Sequence, residues 1–169
     1  MLAAMLCAGC NNAKNPPVPT PEPGATTLNL DHAMPKLPTI KLWVGAQELE
    51  TEIAVTPTQV ATGMMFRQKM EENEAMLFVF AEPQPRSFYM KNCLVPLSAA
   101  YVDPEGVILE IVPLQPGVEE PVPSTSDKVQ FVLETKQGWF ERHKVSPGAV
   151  LRTERGSLLQ TFAGRPAMR

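Results

Sequence analysis

Three groups able to do chemistry stand side by side in SFYMKNCLVPLSAAYVD, Ser87 to Asp103: an ammonium at Lys91, an amide at Asn92 and a thiol at Cys93. Both flanks read as buried strand. A chain seldom carries an ammonium into such a place, because taking charge out of water is costly unless it is paired. Either Lys91 and Asn92 sit at a strand end facing water, or they line a site. Arg67 closes an earlier segment, ATGMMFR. Brought near one another, Arg and Lys would hold a carboxylate, a phosphate or the polar edge of a sugar, the Arg as a bidentate fork and the Lys as a point charge. Arg67, Lys91 and Asn92 are therefore the candidate ligand-binding residues. The competing reading has Arg67 paired with Glu71 or Glu72, Lys91 in water, and Asn92 closing a turn, since Asn tolerates left-handed backbone.

Other chemistries have thinner support. Met64, Met65, Met90 and Cys93 are soft ligands of the kind that select Cu(I). Their spacing is not a dense Met-x-x-Met run, however, and Met is also a common filler of core gaps. The chain has no nucleophile elbow, no His-x-x-x-His pair and no Gly-rich phosphate loop. His32 falls in a tether, and His143 in the charged turn Glu141-Arg142-His143-Lys144 reads as an exposed surface residue. Cys93 reads as a buried, inert thiol, and Glu134 as a strand-end partner for Lys91 or Arg67. No catalytic residue, cofactor or resident metal is called for.

The elements that would position these groups are mostly strands. Ile40 to Val44 alternates, Gly45-Ala46 offers a turn, and Leu49 to Val55 reads as its partner. Thr56-Pro57-Thr58-Gln59 is a helix start, with Thr as cap, Pro at the first position and Gln reaching back. Ala75 to Phe80 is a nearly continuous apolar run, as expected of a strand covered on both faces. Ser87 to Met90, Leu97 to Val102, Val107 to Val112, Lys128 to Thr135 and Val150 to Thr153 complete the strands. Asp103-Pro104-Glu105-Gly106 makes a turn, and Pro113 to Ser126 a surface loop long enough to be a lid or rim. Pro96 cannot donate to a ladder, so the chain leaves the sheet near Cys93. The fold expected is mainly β, a compact barrel or sandwich with one short α-helix.

Length allows one domain, and a net charge of −3 gives no electrostatic footprint for nucleic acid. MLAAMLCAGCNN reads as the end of a bacterial lipoprotein signal, with Ala8 and Gly9 before a lipid-accepting Cys10. No Lys or Arg precedes the apolar run, which is short for a signal core. Between Pro16 and Pro23 stand five prolines, the composition of an extended spacer. The organisation expected is thus a signal segment over 1–10, a tether over 11–36, one β-rich domain over 37–155 and a basic tail over 156–169. Cleavage would remove Cys7 and acylate Cys10, leaving Cys93 as the lone free thiol. The protein would then face the periplasm or another extracytoplasmic compartment of the cell envelope, held to the membrane by its lipid, with a small ligand or another envelope protein as partner.

ATGMMFR, AMLFVF, SFYMKNCLVPL, FVLET and Gly138-Trp139 occur in an order and spacing that resemble the domain of unknown function 192 family, over roughly Ile40 to Thr153. The family usually has Trp at Tyr89, Thr at Cys93, Asp at Ser98 and Gly at Ala75. If that Asp does chemistry, this chain lacks it. The resemblance implies a fold, and no agreed activity comes with it. The function expected is a lipid-anchored, non-catalytic module that binds a small polar or anionic ligand or a protein partner. The alternatives are a purely structural or interaction module and a protein handling Cu(I) or thiols.

Overall fold

The computed structural model describes residues 30–163. The signal segment with Cys10 and most of the tether lie outside the described residues, as do Arg165 and Arg169. Alternation in TIKLWV and QELETEIA builds β1 (Thr39–Val44) and β2 (Gln47–Ala54), which pair antiparallel across a tight turn. Thr56 caps α1 (Pro57–Thr62) through the expected reciprocal box: its hydroxyl accepts from the Gln59 amide, and the Gln59 side chain accepts from the Thr56 amide. This helix carries the chain over to β3 (Glu74–Val79), parallel to β2. After β4 (Ser87–Phe88) come β5 (Leu97–Val102) and β6 (Ile108–Leu114), a hairpin across the Asp103–Gly106 turn. Gly106 takes φ 87°, which a side chain would resist.

The long rim loop contributes β7 (Val122–Pro123), which pairs with β4 as a small separate ribbon. Then β8 (Phe131–Lys136) inserts between β3 and β5, and α2 (Trp139–Arg142) and β9 (Leu151–Thr153) follow. The main sheet runs β6-β5-β8-β3-β2-β1-β9, extended at its far edge by β10 (Gly156–Ser157). A bridge between Val107 and Val150 draws its two ends together, so the sheet curls. Leu42, Leu77, Leu133, Phe131 and Trp139 fill the concave side. Met76, Phe78, Val132 and Tyr101 form a second core on the other face, beneath α1 and the β4–β7 ribbon.

The expectation of a mainly β fold holds, with three short helices among the described residues where the sequence was read as giving one. Of the expected basic tail, residues 156–163 are described, and they fold against the domain. Ser157 and Gln160 form a second reciprocal cap that starts α3 (Leu158–Phe162), and Leu158 is fully buried in the concave core. Arginines on either side obscure this Ser-x-x-Gln signal in the sequence. Among the described residues no helix is long and apolar enough to cross a membrane.

Candidate functional site

The loop after α1 and the turn after β4 meet. Met65 bridges Cys93, and the Phe66 amide donates to the Asn92 carbonyl at 2.8 Å. Both ends of that hydrogen bond are left-handed: Phe66 has φ 60° and Asn92 φ 58°. Asn is at home there, whereas Phe is held against its preference by the surrounding contacts. The backbones of the two predicted site segments are thus joined, but their charged side chains do not converge on one cavity.

Arg67 turns inward. Its Nη1 and Nη2 donate to both carboxylate oxygens of Glu52 on β2, at 2.6 and 2.8 Å, and Glu52 also accepts from the Leu37 amide. Both side chains are only 10% exposed, so this is a buried fork and not the pair with Glu71 or Glu72 of the competing reading. Lys91 stays half-exposed, with Nζ 3.7 Å from Glu119. Asn92 is exposed in its turn. Glu72 instead takes both Nε and Nη2 of Arg142. His143 is partly buried, stacked on Trp139 at 4.4 Å. Its ring covers an aromatic anchor rather than standing free in water, as the charged turn suggested.

A cavity of about 380 Å³ opens on the other side of the joined loops. Its walls are Val60 to Met65, Phe78, Phe80, Pro85 to Tyr89 and Cys93, and Glu134 reaches into it from β8. Neither Arg67 nor Lys91 lines it. Gly63 ends α1 at φ 43°, where a Cβ would sit 3.2 Å from the Phe78 ring, so Gly lets the loop close against that wall. Phe88 packs edge-on against Phe78 and Tyr101, and the Tyr101 hydroxyl donates to the Val122 carbonyl, tying the ribbon down over the sheet.

Glu134 is the unexpected member. It stands mid-strand between Met76 and Ala99, on the outer face of the sheet, and pairs with neither Lys91 nor Arg67. It is 4% exposed, and its Oε2 has no hydrogen-bond partner. Buried carboxyl groups are normally satisfied, so an orphan beside a cavity needs an explanation. Burial pushes its pKa up to about 8, which keeps it neutral at pH 7 and able to donate a proton. The period-two pattern of FVLETK put Glu134 on the same face as Val132, a signal that was available in the sequence.

Arg86 is the other ionisable contributor of note. Its guanidinium lies 3.7 Å over the Phe80 ring and its Nη2 donates to the Glu82 carbonyl. Partial burial draws it down to about 10, so it remains charged at neutral pH. Cys93 is buried, and desolvation, helped by Glu134, raises its thiol to about 12. A soft metal or a substrate carbonyl would meet a thiol and very little thiolate. Met64 and Met65 share the cavity wall with Cys93, while Met90 is packed in the core beneath. Ser98 accepts from the Gly138 amide at 3.0 Å and so fastens the start of α2.

The cavity is walled mostly by apolar side chains, with the buried Glu134 in its lining. Residues 40–153 match the family DUF192, described as an uncharacterised ACR, and the chain belongs to that family. No curated protein matches. Among solved structures, the chain is similar to a proposed transcription regulator from Sinorhizobium meliloti 1021, at 33% identity and a TM-score of 0.63, over 68% of this chain and 92% of that one. It is also similar to a protein of unknown function from Novosphingobium aromaticivorans DSM 12444, at 25% identity and a TM-score of 0.66, over 86% of this chain and 99% of that one.

Proposed function

We propose that this protein is a lipid-anchored envelope module, without catalytic activity of its own, that takes a small molecule into the cavity beside Glu134. The observation that carries the reading is the buried Glu134 carboxyl, whose Oε2 has no hydrogen-bond partner, in the lining of a mostly apolar space of about 380 Å³. A cavity of that size suits a small organic ligand, and a few polar groups in an apolar lining are the usual means of orienting one. In this reading Arg67 and Asn92 support the wall without lining it: Arg67 clamps its loop to β2, and Asn92 supplies the turn that brings Cys93 alongside Met65. Lys91 remains at the outer surface, where it meets ligands or partners approaching through water.

The anchor rests on the sequence: a small-residue approach to Cys10, followed by a proline-rich spacer. The membrane is then a partner through the lipid. Nucleic acid is not, since a chain with net charge −3 has no electrostatic footprint for a phosphate backbone. The name carried by the Sinorhizobium relative is not transferred for the same reason.

Thermal-shift screening of the purified chain against small polar and anionic metabolites tests the cavity, with Val60→Trp as a filled-cavity control. A compound that raises the Tm of the wild type and leaves the control unmoved is the expected result. If every stabilising compound acts equally on both proteins, the cavity is not the site and the structural-module reading takes its place.

A further inference from the structure

The cavity lining narrows the chemistry of its ligand. Arg86 and Glu134 are its only residues of ionisable acid or base type beyond a neutral thiol and a phenol. They stand at different depths: Arg86 is partly exposed, and Glu134 is 4% exposed at the floor. Arg86 is held in place by the Phe80 ring and the Glu82 carbonyl, so its charge is fixed before any ligand arrives. The same cavity is lined by Phe78, Phe80, Phe88, Met64 and Met65. We infer that the cavity takes a small organic carboxylate with an apolar body, its head drawn to Arg86 and an oxygen acceptor at its far end set against Glu134.

The inference rests on the cavity reading and follows from counting donors and charges. The guanidinium offers positive charge and can only donate. A buried carboxyl that has kept its proton also donates, and burial raises Glu134 to about 8. A cationic ligand would have to sit near Arg86 and ionise Glu134 at once. An anion needs neither change. The other groups around Glu134 do not alter this balance. Met76 and Ala99 flank it on β3 and β5. Cys93, from the turn after β4, and Tyr101, on β5, are both raised by burial and stay neutral. Arg67 and Glu52 lie beyond Met76 and neutralise one another.

Binding is therefore linked to protons. Below about pH 8 Glu134 donates to the ligand; above it, the ionised carboxylate repels the anion and leaves two acceptors facing each other. Isothermal titration of the full chain with para-hydroxyphenylpropanoate, tyramine and the matching neutral alcohol reads the charge preference directly. The carboxylate is expected to bind at least ~10-fold more tightly than tyramine, as one charge-assisted hydrogen bond would give. Arg86→Gln should erase that preference, and Arg86→Lys, which keeps the charge, should restore part of it. Glu134→Gln, whose amide still donates, should bind the carboxylate with no fall in affinity between pH 7 and pH 9. Tyramine binding tightest, or an Arg86→Gln protein that binds the carboxylate unchanged, would overturn the carboxylate assignment and leave the cavity reading standing. If none of the three probes binds, both fall together.

Discussion

Glu134 sits where its ionisation is costly, and that cost has a pH signature. Its folded pKa is raised from 4.5 to about 8 by burial. Between those values the folded state keeps a proton that the unfolded chain has released, so stability is full below about pH 4.5 and declines as pH rises toward 8. Glu134→Gln should remove that decline: urea titrations at pH 5 and pH 9 should show the wild type losing stability relative to the variant at the higher pH. Equal losses in both proteins would mean that Glu134 is already ionised or solvated. Asn92 makes a separate claim, about backbone alone. With φ at 58°, Asn92→Gly should be nearly neutral and Asn92→Val should cost about 1–2 kcal/mol, read from denaturation midpoints. Equal midpoints would deny the turn its role. The turn at Asn92 was legible in the sequence because Asn's tolerance for left-handed backbone is local. The partner of Arg67 was not, because Glu52 lies on another strand and only the tertiary fold places it there.

At the scale of elements, the buried fork between Arg67 and Glu52 ties the loop after α1 to β2. Removing one partner leaves an uncompensated buried charge, so Arg67→Ala should cost roughly 3–5 kcal/mol, whereas an Arg67→Met, Glu52→Leu double variant should recover most of it. A double variant as unstable as the single would show that the loop depends on the charges themselves. The cap of α3 offers a smaller test: Ser157→Ala should lose about 1 kcal/mol by denaturation, which a solvated tail would not register. Elements with local signals could be read directly from the residues. Thr56-Pro57-Thr58-Gln59 marks α1 and the Asp103–Gly106 turn marks the β5–β6 hairpin, since capping and turn chemistry act within four residues. The strand expected over Ser87 to Met90 shrinks to Ser87–Phe88, because β7 offers only Val122 and Pro123 to pair with it. Tyr89 and Met90 still alternate exposed and buried after the ladder stops. Alternation reports burial, and pairing needs a neighbour that the local sequence does not name.

For the whole molecule, the order of strands decides where function can sit. Insertion of β8 between β3 and β5 carries Glu134 from a supposed strand end to the middle of the sheet's outer face, beneath α1 and the β4–β7 ribbon. Periodicity in FVLETK gives the face that Glu134 shares with Val132 but not its place in the sheet, because strand order is a long-range property. The class of fold and its apolar strands could be read in the sequence; the cavity depends on segments around Met64, Phe78, Phe88 and Glu134 that meet only after folding. The proposed anchor belongs to this scale too: Cys10→Ser should move the protein from the membrane fraction to the soluble fraction, and a variant that stays with the membrane would refute lipid attachment at that residue. The cavity itself is tested most directly by mapping amide shifts of the full chain during titration with para-hydroxyphenylpropanoate. Binding beside Glu134 should perturb Gly63, Met65, Phe78, Tyr89, Cys93 and Glu134 together, whereas shifts confined to the surface around Lys91 and Glu119, or no saturable shift, would contradict it.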